Sequence, residues 1–340
     1  MNRTEFLDNI NGLLIINMIF LVHLASFCEV NHSLPIIYLR ISMGFFMSWF
    51  FFKAGMFYHR RPIRDVLRSS YRRLIVPYLF FNSVGILCSW FLAIRGGQMS
   101  LGKLLLPVAQ IFLDEATDAN LALWFLLSLF FVRCLFALLD LMGGTRWPLV
   151  VAGCSIATAF ILNFFTQVRP CTPVEVSLAG YHLFLQLPSY IGNIFVGLTM
   201  YSLGYYLREK QYSHLLFGLL SLVYLIQFFF PASISMKENE VTGPYFLAIL
   251  YSVAGIVVFN NVFKMTLDRH IAILTHVGRN SMIYYVTHYV FFVFMFGCFG
   301  NWFNRLNPWC VFVLMSVLCV LFFVVMDFIF MRTRMKRFVG

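Results

Sequence analysis

The apolar run from Ile10 to Cys28, INGLLIINMIFLVHLASFC, constrains the fold of this chain more than any other stretch. It is long and apolar enough to cross a bilayer as one helix, yet it contains Asn11, Asn17 and His23. An ionisable side chain inside a membrane span is costly, so it indicates a partner, a water-filled cavity or a function. We therefore consider His23 a candidate general base, and the alternative is a histidine that only hydrogen-bonds a neighbouring helix.

Similar apolar runs fill the rest of the chain. Of the 340 residues, 61% are hydrophobic and only 11% are charged, whereas a soluble domain has about a quarter charged residues. Because so few charges cannot cover a water-facing surface, the sequence predicts an all-α, polytopic integral membrane protein with a single transmembrane domain over residues 1–340. About ten transmembrane helices are predicted, at 10–28, 36–58, 74–95, 121–142, 148–166, 184–207, 213–230, 244–264, 280–300 and 307–331.

The basic residues are concentrated in short segments between the apolar runs. The net charge of +11 would suit a nucleic-acid-binding protein. Here, however, the charges cluster in HRRPIRDVLRSSYRR, residues 59–73, and in the tail MRTRMKRFVG. This pattern fits the positive-inside rule, so we predict membrane lipids and not nucleic acid as partners. With ten spans, both termini and residues 59–73 fall on one side, which we assign to the cytoplasm.

Residues 59–73, which we call the arginine segment, are also a candidate anion site. Guanidinium groups bind phosphate through two parallel hydrogen bonds. The segment predicts a phosphate site, and the alternative is a topology signal that contacts anionic lipid headgroups. The predicted phosphate ligands are Arg60, Arg61, Arg64, Arg72 and Arg73.

Further polar residues lie inside predicted spans. Lys53 either snorkels to the membrane surface or places a cation beside a phosphate or a developing oxyanion. The stretch RNSMIYYVTHY, residues 279–289, contains His288 and Tyr285. A second intramembrane histidine makes a lone packing histidine a weaker explanation of His23. Since no metal-ligand spacing occurs and the eight cysteines lie mostly in apolar runs, we predict no metal site.

The fourth predicted span, LWFLLSLFFVR, contains two residues of interest. Trp124 is either an interfacial anchor or a part of the substrate site. Arg133 lies deeper and needs a partner, for which Asp140, two helical turns further on, is the candidate. No P-loop, HExxH or GxSxG is present, which argues against an ATP-driven pump, a zincin and a serine-type protease.

Several stretches taken together resemble the membrane-bound acyltransferase type 3 family, bacterial integral membrane proteins that mostly O-acylate extracytoplasmic carbohydrate. They are FLDNINGLLIINMIFLVH, FFMSWFFFKAGMFY, YRRLIVPYLFF, LALWFLLSLFF, GLTMYSLGYYL and GRNSMIYYVTHYVF, in this order along the chain. The resemblance implies a ten-helix core in the bacterial cytoplasmic membrane. It further implies acyl-CoA as donor substrate, acetyl-CoA by default, and a hydroxyl of a carbohydrate or lipid-linked glycan as acceptor.

The resemblance places His23 on the family's first-span histidine, which is regarded as catalytic. We expect His23, Lys53 and His288 to be catalytic and the arginine segment to hold the CoA phosphates, with no permanently bound cofactor. The expected substrate-binding residues are Asn17, Glu29, Trp124 and Tyr285. Lys53, a tyrosine of span nine or a backbone N–H is expected to stabilise the oxyanion.

The first span departs from the family pattern at one point. In the family, ten residues usually separate an Arg or Lys from the histidine, whereas this chain has Asn11 at the basic position and eleven residues, one extra, before His23. One added residue rotates a helix by about 100°, so Asn11 and His23 need not share a face. Lys53 is our candidate for the missing positive charge.

Two other classes of function fit part of the sequence. A transporter or flippase for a glycan or lipid-linked intermediate would also have ten spans and intramembrane polar groups. A non-catalytic sensor or scaffold would require neither the intramembrane histidines nor the arginine segment.

Overall fold

The computed structural model describes residues 5–113, 115–143, 146–168, 174–178, 181–185, 187–208, 210, 213–237 and 240–332. The first part contains α1 (Glu5–Ile16), a π-helical segment (Asn17–Leu24), α2 (Ala25–Phe27), α3 (Leu34–Ser42), α4 (Phe46–Met56), α5 (Ile63–Ser70), a second π-helical segment (Tyr71–Ile75), α6 (Val76–Arg95), α7 (Leu101–Leu113), a 3₁₀ segment (Asp118–Leu123), α8 (Trp124–Leu139) and a 3₁₀ turn (Asp140–Met142). The second part contains α9 (Trp147–Val168), α10 (Leu187–Leu207), α11 (His214–Ile226), α12 (Tyr245–Thr266), α13 (Ala272–Arg279), α14 (Ser281–Phe303) and α15 (Pro308–Arg332). Two antiparallel hairpins pair β1 (Val174–Leu178) with β2 (Tyr181–Leu185) and β3 (Ser233–Ser235) with β4 (Glu240–Thr242).

The all-α prediction is confirmed, because 81% of the structure is helical. Seven helical segments of the described residues are long and apolar enough to cross a membrane: Glu5–Phe27, Leu34–Met56, Ile63–Arg95, Asp118–Leu139, Tyr245–Thr266, Ser281–Phe303 and Pro308–Phe330. The count of about ten spans is not confirmed. The other three predicted spans coincide with α9, α10 and α11, which are not among these seven.

The outermost helices show how the bundle meets its surroundings. On α15, one side chain in every three or four is more than half exposed and apolar: Val313, Val317, Val320 and Val324. Residues at this spacing form one stripe along a helix. A stripe of this kind is unfavourable in water and favourable among acyl chains, as expected for an outer helix of a membrane protein.

Helices α4 and α10 are in backbone contact at two glycines. A side chain on Gly55 would collide with the carbonyl oxygen of Tyr201, and one on Gly204 would collide with that of Phe52. Small residues at a crossing allow two membrane helices to approach until their backbones touch. This contact holds Trp49 of α4 in the fully buried core.

At one end of the bundle, α4, α5 and α8 meet around a buried carboxylate. Asp140 accepts a 3.0 Å hydrogen bond from the Tyr58 hydroxyl, and its Oδ2 lies 3.5 Å from Nε of Arg60. Burial, and then the adjacent carboxylate, raise the pKa of Tyr58, so its hydroxyl remains a donor. The predicted Arg133–Asp140 pair is therefore wrong. Since α8 ends at Leu139, Asp140 turns towards α4, and Arg133 bonds Tyr201 of α10 instead.

The connection between α7 and α8 turns back into the bundle. Glu115 of this connection is 4% exposed and accepts a 3.3 Å hydrogen bond from Asn193. The Asn120 side chain donates to the carbonyl oxygen of Val286 at 3.0 Å. This buried connection therefore contacts the backbone of α14 two residues before His288.

Candidate active site

The two intramembrane histidines are in direct contact. Nδ1 of His23 lies 2.8 Å from Nε2 of His288, which is 265 residues further along the chain. Their rings are stacked at 4.9 Å, and Tyr289 packs edge-on against His23. The His288 side chain is fully buried, whereas His23 is half-buried. His288 thus lies on the buried side of His23 and fixes the orientation of its ring.

The partners of His288 determine which nitrogen of each ring holds a proton. Nδ1 of His288 lies 3.0 Å from the carbonyl oxygen of Tyr284 and 2.9 Å from that of Tyr285. Because carbonyl oxygens only accept, this Nδ1 is the donor, and in the neutral ring Nε2 is the acceptor. His23 must then donate from Nδ1. Nε2 of His23 therefore keeps a lone pair, and none of the described residues donates a hydrogen bond to it.

A π-helical segment, Asn17–Leu24, places His23 in this position. A π-helical turn holds one residue more than an α-helical turn, and such segments recur at functional sites. It accommodates the extra residue in this span. Asn11 donates to Ser281 at 3.0 Å, and His23 contacts His288, which is two turns further along α14. Both side chains therefore face α14, despite the rotation that one added residue would cause in a regular helix.

His23 lines a cavity of about 570 Å³, a volume in the usual range for ligand sites. The walls come from the first span, α3, α4, the start of α8, the hairpin of β3 and β4, α12 and α14. Polar wall residues include Asn17, Ser26, Ser48, Gln227, Ser235, Ser252, Tyr285 and Tyr289. The cavity therefore offers many hydrogen-bonding groups inside an otherwise apolar bundle.

Two amides of the cavity wall have buried atoms without a partner. Both Oδ1 and Nδ2 of Asn17 lack a hydrogen bond among the described residues, although the residue is only 2% exposed. The same holds for Nε2 of Gln227, which is 6% exposed. A buried polar atom without a partner is destabilising, so it needs an explanation. Since both residues line the cavity, a polar ligand or water there is the simplest partner.

A second cavity, of about 420 Å³, lies on the arginine segment. It is formed by Asp65, Arg68, Ser69, Arg72 and Arg73. Its three guanidinium groups are the kind that bind anions, and we call this cavity the arginine groove. It shares no wall residue with the cavity at His23.

Residues 4–328 match a known protein family, described as an acyltransferase domain, of type 3. The match covers nearly the whole chain. The chain belongs to this acyltransferase family. The resemblance noted in the sequence is therefore confirmed, and the protein is a membrane acyltransferase. Comparisons with curated proteins and with solved structures gave no match.

The structure of this acyltransferase brings four of the predicted site residues to one cavity: His23, Asn17, Trp124 and Tyr285. His288 joins them from behind His23. Trp124, on the first turn of α8, is 7% exposed and so is not an interfacial anchor. The Tyr285 hydroxyl donates to the carbonyl oxygen of Ala122, so this residue shapes the wall.

Other predicted residues of the acyltransferase lie elsewhere. The Lys53 ammonium lies over the Trp49 ring, 5.1 Å from its centre, and Lys53 and Glu29 are not wall residues of the cavity. Of the predicted phosphate ligands, Arg72 and Arg73 line the arginine groove, whereas Arg60 pairs with Asp140. Arg61 and Arg64 lie outside the groove, and Arg61 is close enough to the half-buried Arg133 for their charges to interact.

Among the wall residues that were not predicted from the sequence are Arg40, Gln227 and Lys237. Arg40 and Lys237 lie near the ends of apolar runs, where a charge also fits a topology signal. The available signal was helical spacing. Ile37, Arg40, Ile41 and Gly44 lie three or four residues apart on α3, and all line the cavity.

Proposed function

We propose that this protein moves an acyl group, acetyl by default, from acyl-CoA to a hydroxyl of an extracytoplasmic or lipid-linked carbohydrate. The observation that carries this proposal is the free Nε2 lone pair of His23 on a polar cavity, with His288 fixing the tautomer. A neutral imidazole held in this way is a general base for an attacking hydroxyl.

In the proposed reaction, the acceptor hydroxyl attacks the carbonyl carbon of the thioester while Nε2 of His23 takes its proton. His288 accepts the Nδ1–H of His23 and so stabilises the imidazolium that forms. The carbon–sulfur bond then breaks, and His23 returns the proton to the leaving thiolate. The products are the O-acylated acceptor and free CoA. The acyl group has moved from sulfur to the acceptor oxygen, and the proton has moved from that oxygen to sulfur.

The thioester oxygen becomes negative during attack, which requires a donor. Nδ2 of Asn17 is a suitable one, because it is a buried, unpartnered amide on the cavity wall. One donor of this kind contributes about 3–4 kcal/mol to transition-state stabilisation. Lys53 lies outside the cavity, so in this proposal it acts on the site only through the field of its charge.

The arginine groove is the proposed site for the CoA phosphates. Arg68, Arg72 and Arg73 supply the positive charge, and Arg61 and Arg133 extend it towards the bundle interior. Because the groove and the cavity have no wall residue in common, the pantetheine arm is proposed to pass between helices that part to admit it. Donor entry is therefore proposed to be a conformational step.

The proposed location is the bacterial cytoplasmic membrane, with both termini and the arginine segment in the cytoplasm. Acyl-CoA is made and kept inside the cell, so the arginine groove has to face that side. The cavity at His23 then opens towards the outside, where the acceptor is presented. Membrane lipids surround the bundle along the apolar stripes of its outer helices.

Mass spectrometry of cell-envelope glycans tests the function. Cells that contain the wild-type protein are compared with cells that contain His23→Ala, at matched protein levels. We expect glycans heavier by one acyl group only in the first strain. Identical glycan masses, together with no stabilisation of the purified protein by acetyl-CoA, would instead support a transporter or flippase.

A further inference from the structure

Two positively charged side chains line the cavity at His23. They belong to Arg40 and Lys237, and no aspartate or glutamate lines the cavity in the described part of the chain. A charged side chain on a cavity wall is costly to remove from water, so it indicates a ligand or a partner of opposite charge.

Both cations are on the wall of the cavity that His23 also lines. Arg40 lies on the face of α3 that lines the cavity, and Lys237 lies in the turn between β3 and β4. Both are close enough to His23 for their charges to act on it. Among the residues that the structure describes, neither forms an ion pair with a carboxylate.

This arrangement opposes the proposed reaction unless a negative charge is present. When His23 takes a proton, a third positive charge appears beside Arg40 and Lys237, and like charges at short range repel. A bound anion between the two cations would neutralise them and make the protonation of His23 easier. Guanidinium and ammonium groups both hold carboxylate and phosphate through charge-assisted hydrogen bonds.

We propose that the acceptor is an anionic carbohydrate whose carboxylate or phosphate binds between Arg40 and Lys237, which places a nearby hydroxyl at Nε2 of His23. This inference rests on the proposed acyl transfer and specifies its substrate class. The unpartnered Nε2 of Gln227 is a further donor for the same ligand. Carboxylate and phosphate share this chemistry, so an acidic sugar and a phosphate-linked sugar are two sources of one ligand class.

The test uses the full chain in lipid nanodiscs, with acetyl-CoA and three acceptors: glucose, glucuronic acid and glucose 1-phosphate. Release of free CoA and the mass of the sugar product are measured. We expect both anionic sugars to be acetylated with a higher kcat/KM than glucose, and their ratio identifies the preferred anion. Arg40→Gln and Lys237→Gln should each lower kcat/KM for the anionic sugars about 10–100-fold and leave the KM for acetyl-CoA unchanged.

Lys103→Gln is the matched control, because Lys103 bonds Gln98 outside the cavity. Glucose acetylated as well as the anionic sugars would overturn the inference and leave the acyl transfer intact. A raised KM for acetyl-CoA in Arg40→Gln would also overturn it, since the cations would then hold donor phosphates.

A binding measurement keeps the two proposals separable. Glucuronic acid or glucose 1-phosphate, but not glucose, should raise the thermal unfolding midpoint of the wild type, and Arg40→Gln should lose this shift. If no sugar is acetylated but the shift appears, acyl transfer to these sugars fails and the anion site stands. If all three sugars shift the midpoint equally, or none does, the anion site is contradicted.

Discussion

Nδ1 of His23 and Nε2 of His288 are 2.8 Å apart, and His288 is in turn fixed by two backbone carbonyl oxygens of α14. This places a neutral imidazole where a serine hydrolase has a carboxylate. A neutral ring can orient the base and accept a hydrogen bond from its protonated nitrogen. It does so without placing a permanent negative charge in the bundle core.

Replacing His288 with alanine should slow catalysis without blocking donor binding. The change leaves Nδ1–H of His23 without an acceptor, which costs about 1–3 kcal/mol, or roughly ten- to 100-fold in kcat. His288→Gln should recover part of the loss, because its amide oxygen also accepts. Steady-state transfer rates at saturating acetyl-CoA provide the measurement.

The control for His288 is Thr287→Val on the adjacent position of α14. Thr287 is also buried, but its hydroxyl donates to the carbonyl oxygen of Ile283 and does not reach His23. This variant should keep its kcat within about twofold. A His288→Ala protein with wild-type kcat would show that His23 needs no partner.

Replacing Asn17 with leucine should stabilise the protein and damage its activity. The unpartnered amide is buried at a cost, and an apolar side chain of similar size removes that cost. We expect a higher thermal unfolding midpoint and a kcat lower by about 100–1,000-fold, as for the loss of an oxyanion donor.

Asn82→Leu is the matched control for Asn17. The Asn82 amide is also fully buried, but it donates to Tyr78 and accepts from the backbone of Thr117. This substitution should lower the unfolding midpoint. If Asn17→Leu also lowered the midpoint, the amide would have a structural partner and our assignment would be wrong.

The π-helical segment predicts an asymmetry between removing and adding one residue. Deleting Leu21 should convert Asn17–Leu24 to a regular helix and keep the imidazole opposite His288, so folding and much of the activity remain. Inserting one alanine after Leu21 should rotate the imidazole by about 100° and abolish transfer. Expression, unfolding midpoint and acyl transfer are compared for the two proteins, and equal activities would contradict this account.

The sequence predicted the components of the site better than their arrangement. His23 and His288 could be found because an ionisable residue in an apolar run is conspicuous. Their contact could not, because it joins residues 265 positions apart and depends on a π-helical turn that the extra residue before His23 does not by itself predict. Asn17 was found for the same reason as the histidines, but its lack of a partner is a tertiary property.

The errors in the prediction have a common origin. Arg40 and Lys237 lie near the ends of apolar runs and were not predicted as site residues, and Arg133 was assigned Asp140 as a partner by spacing along one helix. Charge near the end of a span is ambiguous, because the same residue can face water, lipid headgroups or a cavity. Only the tertiary structure, which places α3 and the hairpin of β3 and β4 on one cavity, resolves the ambiguity.

The most direct test of the central claim is the rate of acetyl transfer by purified His23→Ala protein in nanodiscs. The assay uses saturating acetyl-CoA and an acceptor extract prepared from cells that produce the wild-type protein. Ser26→Ala, on the same cavity wall, is the control and should retain transfer, since its hydroxyl bonds the carbonyl oxygen of Val22. We expect His23→Ala to lose about 100–10,000-fold in kcat while it still binds acetyl-CoA. A wild-type rate from the His23→Ala protein would contradict the claim that this imidazole activates the acceptor hydroxyl.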